Sequence, residues 1–374
     1  MKKLSLFLLC IIMLLSGCQT NKEKDSTVVD LSLLDKNTIE DLDKVVLANN
    51  FKGIACIYYD GIKCYESDTG YANESQNLEN DSKQIYRIGS LSKQFTAAGI
   101  CILCEDKKMN LEDTLDLYFD DYQNGNKITI KNLLNMCSGI PDYIGNRTNN
   151  NGVYKEKNID FEISNNKTAV ENQKEIQKWI LSQTLEFEPG ATFEYSNSNY
   201  FLLARIIEIV SGQNYCDYIE NEVIKKAGLT STGFDESTIT TVGHIYDSTM
   251  TEKDMMETLD IEWLYYPGVL LGCVDMVSSV DDLFIWLTYL KSGELVGQEM
   301  IDKFFEKNDY HFGFGFITTD DSVAMSGFIN CYTSYMQMDD RFTVIALSNY
   351  YSDDFPIVKT GTGINKILSK EFGK

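Results

Sequence analysis

In the stretch FKGIACIYYDGIKCYESDTGYA, Phe51 to Ala72, two β-rich runs flank Asp60-Gly61. That dipeptide is a strong signal for a two-residue hairpin turn. Near the other end of the chain, INCYTSYMQMDDRFTVIALSN, Ile329 to Asn349, repeats the pattern with Asp339-Asp340 at the turn. Between these ends the apolar positions take up a helical period. RIGSLSKQFTAAGI, Arg87 to Ile100, reads as a helix from Leu91, with Leu91, Phe95, Ala98 and Ile100 among its apolar positions. YFLLARIIEIV, Tyr200 to Val210, has an apolar stripe and stops at Ser211-Gly212, a C-terminal signal. Another helix is expected from Asp281 to Leu290, capped by Ser279, and a terminal one with Ile364, Ile367, Leu368 and Phe372 on its inner side. Strands at both ends with helices between them predict an α+β fold. One antiparallel sheet, built from both chain ends and flanked by helices, would carry an inserted, mostly helical subdomain.

The first residues follow a different logic. Lys2 and Lys3 precede an apolar run from Leu4 to Leu15, too short for a comfortable membrane span. It ends in LSGC, Leu15 to Cys18, which resembles a bacterial lipobox; the alternative is a plain signal peptide that contains a cysteine. The expected organisation is a signal peptide over 1–17, a lipidated Cys18, a polar tether over 18–38 and one domain over 39–374. Gly145 to Lys167 is asparagine-rich and patternless, and is expected to be a surface excursion.

Composition narrows the classes of function. The formal net charge is −23, and loss of Lys2 and Lys3 makes the mature chain more acidic still. Such a surface argues against nucleic acid and against charge-driven adhesion to anionic lipid. Beyond Cys10 and Cys18 there are eight cysteines: Cys56, Cys64, Cys101, Cys104, Cys137, Cys216, Cys273 and Cys331. An even count outside the cytoplasm permits disulfides, whose connectivity the sequence leaves open. Cys101 and Cys104 continue the Ser90 helix and have no second pair at zinc-ligand spacing, so they read as packed core thiols. No spacing of cysteine and histidine calls for a metal or another cofactor.

Ser90 and Lys93 lie three residues apart at a helix start, on one face. The helix dipole disfavours a cation there. A serine hydroxyl needs a base to become a nucleophile. Only His244 and His311 offer an imidazole, neither in a triad context. A lysine one turn beyond the serine can serve instead if its surroundings disfavour its charge. Ser-x-x-Lys alone is weak, and Ser164 to Lys167 is a second copy without a helix to organise it. Farther on, Pro189-Gly190 makes a turn before Tyr195 and Asn197, which face the same way if that segment is extended. A tyrosine beside the lysine can relay a proton, and an asparagine can orient both lysine and substrate. Tyr71 to Asn73 and Tyr122 to Asn124 also match Tyr-x-Asn, but only the copy at Tyr195 lies between a turn and an amphipathic helix.

Ser90-Leu91-Ser92-Lys93 followed by Tyr195-Ser196-Asn197 resembles the serine β-lactamase-related family of class C β-lactamases, D-alanyl-D-alanine carboxypeptidases and esterases. NLEDTLDLYF, ITIKNLLNMCSGIPDY, EPGATFEYSNSNY and MVSSVDDL come in the order that family uses, so the likeness spans most of residues 50 to 350. The resemblance implies a β-lactamase/transpeptidase-like fold, Ser90 as the acylated nucleophile, Lys93 and Tyr195 as its base system and Asn197 as a substrate-positioning residue. It also implies an oxyanion site made of the backbone N–H of Ser90 and one from the strand near Phe328. The family's third motif, Lys-Thr-Gly or His-x-Gly, is altered. Lys359-Thr360-Gly361 matches literally but leaves no room for the two strands that should come after it, whereas Met325-Ser326-Gly327 is followed by them. The family's His-Thr-Ser-Gly is likewise changed, to Met136-Cys137-Ser138-Gly139. With methionine where a cation or imidazole would hold a carboxylate, the expected substrates are neutral small-molecule or peptide-like esters or amides. The rival expectation is a non-catalytic surface lipoprotein that binds cell-wall fragments or a protein partner in the same cleft.

Overall fold

The computed structural model describes residues 29–144, 162–246, 252–259, 261–352 and 354–373. The expected signal peptide and Cys18 therefore lie outside the described residues, as does most of the asparagine-rich stretch.

Both hairpins form where the turn chemistry places them. Strands β1 (Gly53–Tyr59) and β2 (Ile62–Thr69) pair antiparallel across Asp60 and Gly61. Both turn residues have positive φ, 45° and 81°, as the twist of such a hairpin demands. Toward the C-terminus, β3 (Phe312–Gly313), β4 (Phe316–Thr318), β5 (Val323–Ile329), β6 (Tyr332–Met338) and β7 (Phe342–Ser348) succeed one another. The Asp339 carboxylate closes the β6–β7 turn by accepting from the N–H groups of Arg341 and Phe342, each at 2.7 Å. The seven strands form one antiparallel sheet in the order β2-β1-β7-β6-β5-β4-β3, so the chain ends meet where β1 pairs with β7.

Every residue of β7 is buried, because the sheet is covered on both faces. Phe342, Val344 and Ala346 pack with Leu42 and Val46 of α1 (Lys36–Ala48) and Ile364 and Leu368 of the C-terminal helix (Pro356–Phe372). Ile345 and Leu347 point the other way into the main core, shared with α2 (Ser92–Glu105), α3 (Ala169–Ser182), α4 (Asn197–Ser211) and α5 (Val280–Ser292). These last four helices belong to the long insertion between β2 and β3, the subdomain expected from the sequence. The α5 helix starts at Ser279, whose hydroxyl accepts from the Asp282 N–H, and α4 ends at Gly212 in a left-handed conformation.

The tether boundary is corrected. Residues 30–38 are docked rather than free: the Asp30 N–H donates to the Lys63 carbonyl at 2.8 Å, and Leu34 is buried against α1 and the sheet. Leu34 supplies an apolar anchor that the polar run before it conceals.

Candidate active site

Ser90 sits in a tight 3-10 turn, Gly89–Leu91, that runs directly into α2. The turn is pressed against β5 as closely as backbones allow. Gly89 has φ of 53°, and a Cβ there would stand 2.6 Å from the Phe328 nitrogen. A Cβ on Gly327 would stand 2.2 Å from the Ile88 carbonyl oxygen and 2.9 Å from the Ser90 nitrogen. Glycine at both positions is thus a condition of the approach. The Ser92 hydroxyl donates to the Gly89 carbonyl at 2.7 Å and the Ser334 hydroxyl to the Ile88 carbonyl at 2.8 Å, which pin the turn from both sides.

The fully buried Lys93 projects from the first turn of α2 into the molecule. Its ammonium nitrogen donates to Ser90 Oγ at 3.1 Å, to Asn197 Oδ1 at 2.9 Å and to the Cys273 carbonyl at 2.9 Å. These three acceptors hold the amine in place, and none of them is a carboxylate that would favour its charge. The Tyr195 hydroxyl lies 2.8 Å from Ser90 Oγ, and the Tyr195 ring centre is 5.1 Å from Lys93 Nζ. The serine oxygen is therefore held between amine and phenol, so that an uncharged Lys93 would stand within reach of its proton.

Asn197 is the first residue of α4 rather than the end of an extended segment, so the helix begins three residues earlier than its apolar stripe predicts. Ser196, at the cap position, makes no capping bond with its side chain. The Asp142 carboxylate takes that place from a distant loop, accepting from the Asn197 N–H at 3.0 Å.

The cleft above these groups encloses about 530 Å³ and is lined by Ser90, Tyr195, Asn197, Met325, Ser326, Gly327 and Phe328, among others. All eight site residues expected within the domain are thus brought together, seven at the cleft and Lys93 beneath it. Its walls are largely apolar: Phe193 and Phe312, whose ring meets Tyr195 edge-on, with Ile144, Leu264, Ile317 and Phe355. Among the described residues, the charged ones lining the cleft are Asp142 and Glu194, with no lysine, arginine or histidine. Lys359, Thr360 and Gly361 lie instead in the C-terminal helix, with Gly361 against the Tyr335 ring and Lys359 3.5 Å from Asp354. Ser164 and Lys167 lie in a turn. The eight cysteines are unpaired, and Cys101 and Cys104 lie in α2 as expected. Among the described residues no cluster of histidine, cysteine and carboxylate side chains is suited to a metal.

Sequence reasoning missed Asp142, Phe312 and the Gly272–Asp275 loop. That loop supplies the carbonyl that holds Lys93, and the Cys273 thiol donates to the Asn197 carbonyl at 3.2 Å. Burial pushes the Cys273 thiol up to about 12, so it stays protonated as a donor. Burial also pushes the Asp275 carboxyl up to about 7, against the opposing pull of the Gly272 N–H at 3.0 Å and of Lys93 nearby. A carboxyl that binds its proton more tightly folded than unfolded makes the fold less stable as pH rises from about 4 to about 7. Replacing Asp275 by asparagine is expected to flatten that slope, raising the melting temperature more at pH 8 than at pH 5. An equal change at both pH values would show an ordinary, solvated carboxylate.

An antiparallel sheet flanked by helices, with a serine, a buried lysine and a tyrosine gathered at its cleft, is the architecture of a β-lactamase-like serine hydrolase. The chain belongs to the β-lactamase family of serine hydrolases: that family's model matches residues 36–335. A penicillin-binding protein of Bacillus subtilis is 28% identical over 330 residues, covering 82% of this chain and 69% of its own. FmtA from Staphylococcus aureus has the same fold, with a TM-score of 0.72 at 19% identity over 91% of both chains. So does a D-amino acid amidase from Ochrobactrum anthropi, at 0.71 and 20% over 90% of this chain and all of that one.

Proposed function

We propose that this chain is a lipid-anchored extracytoplasmic hydrolase that acylates Ser90 and takes uncharged esters or amides. The observation that carries the reading is Ser90 Oγ held between Lys93 Nζ and Tyr195 Oη at the floor of an apolar cleft that, among the described residues, has no cationic lining residue. Ser90 Oγ attacks the substrate carbonyl and its proton passes to the Lys93–Tyr195 pair. The same pair returns a proton to the leaving alcohol or amine. Water, deprotonated in the same place, then attacks the acyl-enzyme and releases the acid. Negative charge on the carbonyl oxygen is met by the N–H groups of Ser90 and Phe328, brought together by the close approach at Gly89 and Gly327. Asn197 orients Lys93 and the substrate.

Met325 decides the preference for neutral substrates. It is buried in the cleft wall where a cation would grip a carboxylate, and Asp142 and Glu194 make the lining anionic. A missing charge-assisted hydrogen bond costs about 1.5–3 kcal/mol, roughly one to two powers of ten in affinity. The likeness to the Ochrobactrum amidase lends weight to an amide or ester as the scissile bond. Residues Leu15 to Cys18 support the membrane assignment, and Cys18→Ser should move the protein from membrane to soluble fraction.

The test is intact mass after exposure to a fluorophosphonate, with paired esters that differ only in a free or a methylated carboxylate. The wild type is expected to gain one adduct and Ser90→Ala none, and the methylated ester to be turned over at least about tenfold faster in kcat/KM. Folded protein without an adduct would sink the hydrolase reading and favour a binding protein.

A further inference from the structure

The loop that reaches the start of α4 from 55 positions away carries a carboxylate that acyl transfer at Ser90 does not itself use. One oxygen of Asp142 accepts from the N–H of Asn197 at 3.0 Å and of Ile144 at 3.2 Å; the other accepts from the Asn197 side-chain amide at 3.1 Å. That last bond has a consequence for the chemistry. A primary amide presents an acceptor on one side and donors on the other, whereas an ionised carboxylate only accepts. Facing Asp142, the NH₂ of Asn197 must point to the carboxylate and the oxygen away from it. Away from it is Lys93, 2.9 Å from that oxygen.

We propose that Asp142 is a positioning residue: by fixing the amide of Asn197 with its oxygen toward Lys93, it keeps the amine within reach of the Ser90 hydroxyl. The inference rests on Ser90 as nucleophile and Lys93 as its base. Without the carboxylate the amide is free to turn, and Lys93 would then lose the acceptor it meets at 2.9 Å.

The loop itself is anchored by other bonds. The Ser198 hydroxyl donates to the Pro141 carbonyl at 2.6 Å and accepts from the Tyr143 N–H at 2.9 Å. The Tyr143 hydroxyl donates to the Val269 carbonyl at 2.5 Å. Asp142 can therefore be altered without releasing its segment.

Asp142→Asn separates positioning from packing. The oxygen of the new amide still accepts from both backbone N–H groups, but its NH₂ faces that of Asn197, donor against donor. The variant is expected to fold, with kcat on an uncharged ester lowered about 10- to 100-fold, the usual cost of losing an orienting partner, and with KM little changed. The double variant Asp142→Asn/Asn197→Asp restores complementary donors and acceptors but puts an anion against Lys93. It should regain turnover only at higher pH, the acid limb of its pH–rate profile being displaced upward. A structural role alone predicts neither the recovery nor the displacement.

A readout independent of turnover is the side-chain amide resonance of Asn197 in ¹⁵N-asparagine-labelled protein, identified by its absence from Asn197→Asp. It should move on Asp142→Asn. Turnover within twofold of wild type in the single variant, or an unmoved resonance, would overturn the proposal. If the resonance moves while the wild type takes no fluorophosphonate, the positioning stands and the hydrolase reading is what fails.

Discussion

Replacing Lys93 by methionine is expected to lower kcat/KM on an uncharged ester by about a thousandfold, the usual worth of a positioned general base. It should slow fluorophosphonate labelling of Ser90 to a similar degree while leaving the protein folded. Methionine has nearly the length of the lysine stem and no charge, so the buried space stays filled. Two opposing terms then act on stability. Removing a fully buried amine relieves a desolvation cost. Against this, the Cys273 carbonyl and Asn197 Oδ1 lose the donor that each meets at 2.9 Å, at about 1–3 kcal/mol for each acceptor left bare. The melting temperature is therefore expected to change little compared with the rate. Labelling at the wild-type rate in the folded variant would show that Tyr195 alone activates the serine and would remove Lys93 from the mechanism.

The position of this lysine explains a conflict visible in the sequence. A cation in the first turn of a helix meets the positive end of the dipole. In the fold that turn is buried, and the lysine finds three acceptors: Ser90 one turn back, and Asn197 and Cys273 from two distant parts of the chain. The local rule is broken at the point where the proposed acyl transfer needs an amine, as is expected where function and stability compete.

The features legible in the sequence were local. Ser90 and Lys93 are three residues apart, so helix geometry alone puts them together. Asp60-Gly61 and Asp339-Asp340 announce their turns by residue type, and the C-terminal helix is announced by the spacing of Ile364 and Leu368. The altered third motif could be placed by counting the elements beyond each candidate: two strands after Gly327, only a helix after Gly361. The contacts that were not legible join residues with no common period. Lys93 meets Cys273 across 180 positions, and Asp142 meets Asn197 across 55. Asp142 stood in view within SGIPDY, yet nothing in that segment says that its carboxylate caps a helix beginning at Asn197. The early start of α4 was hidden for the same reason, since its cap comes from another loop. Leu34, a single anchor beyond a polar stretch, gave too little pattern to separate docked chain from tether.

Gly327→Ala is expected to reduce kcat about 10²- to 10³-fold, as the loss of one oxyanion donor does, and to lower the melting temperature as well. The added methyl group would meet the Ile88 carbonyl oxygen at 2.2 Å and the Ser90 nitrogen at 2.9 Å, both main-chain atoms that cannot swing aside. The Ser334 hydroxyl, at 2.4 Å, can rotate, but only by giving up its bond to the Ile88 carbonyl. Strand β5 must then draw back from the serine turn, carrying the Phe328 N–H away from that of Ser90. The two donors no longer converge on one oxygen, while the contacts among Ser90, Lys93 and Tyr195, none of which involves a β5 residue, are kept. The loss should therefore fall on kcat for substrates, in which an oxyanion forms, with the lysine-dependent limb of the pH–rate profile unmoved. Steady-state kinetics on the folded fraction, taken well below its melting temperature, would read this. A kcat within threefold of wild type would mean that the close packing of β5 on the turn serves stability alone, and that the oxyanion is stabilised by other groups.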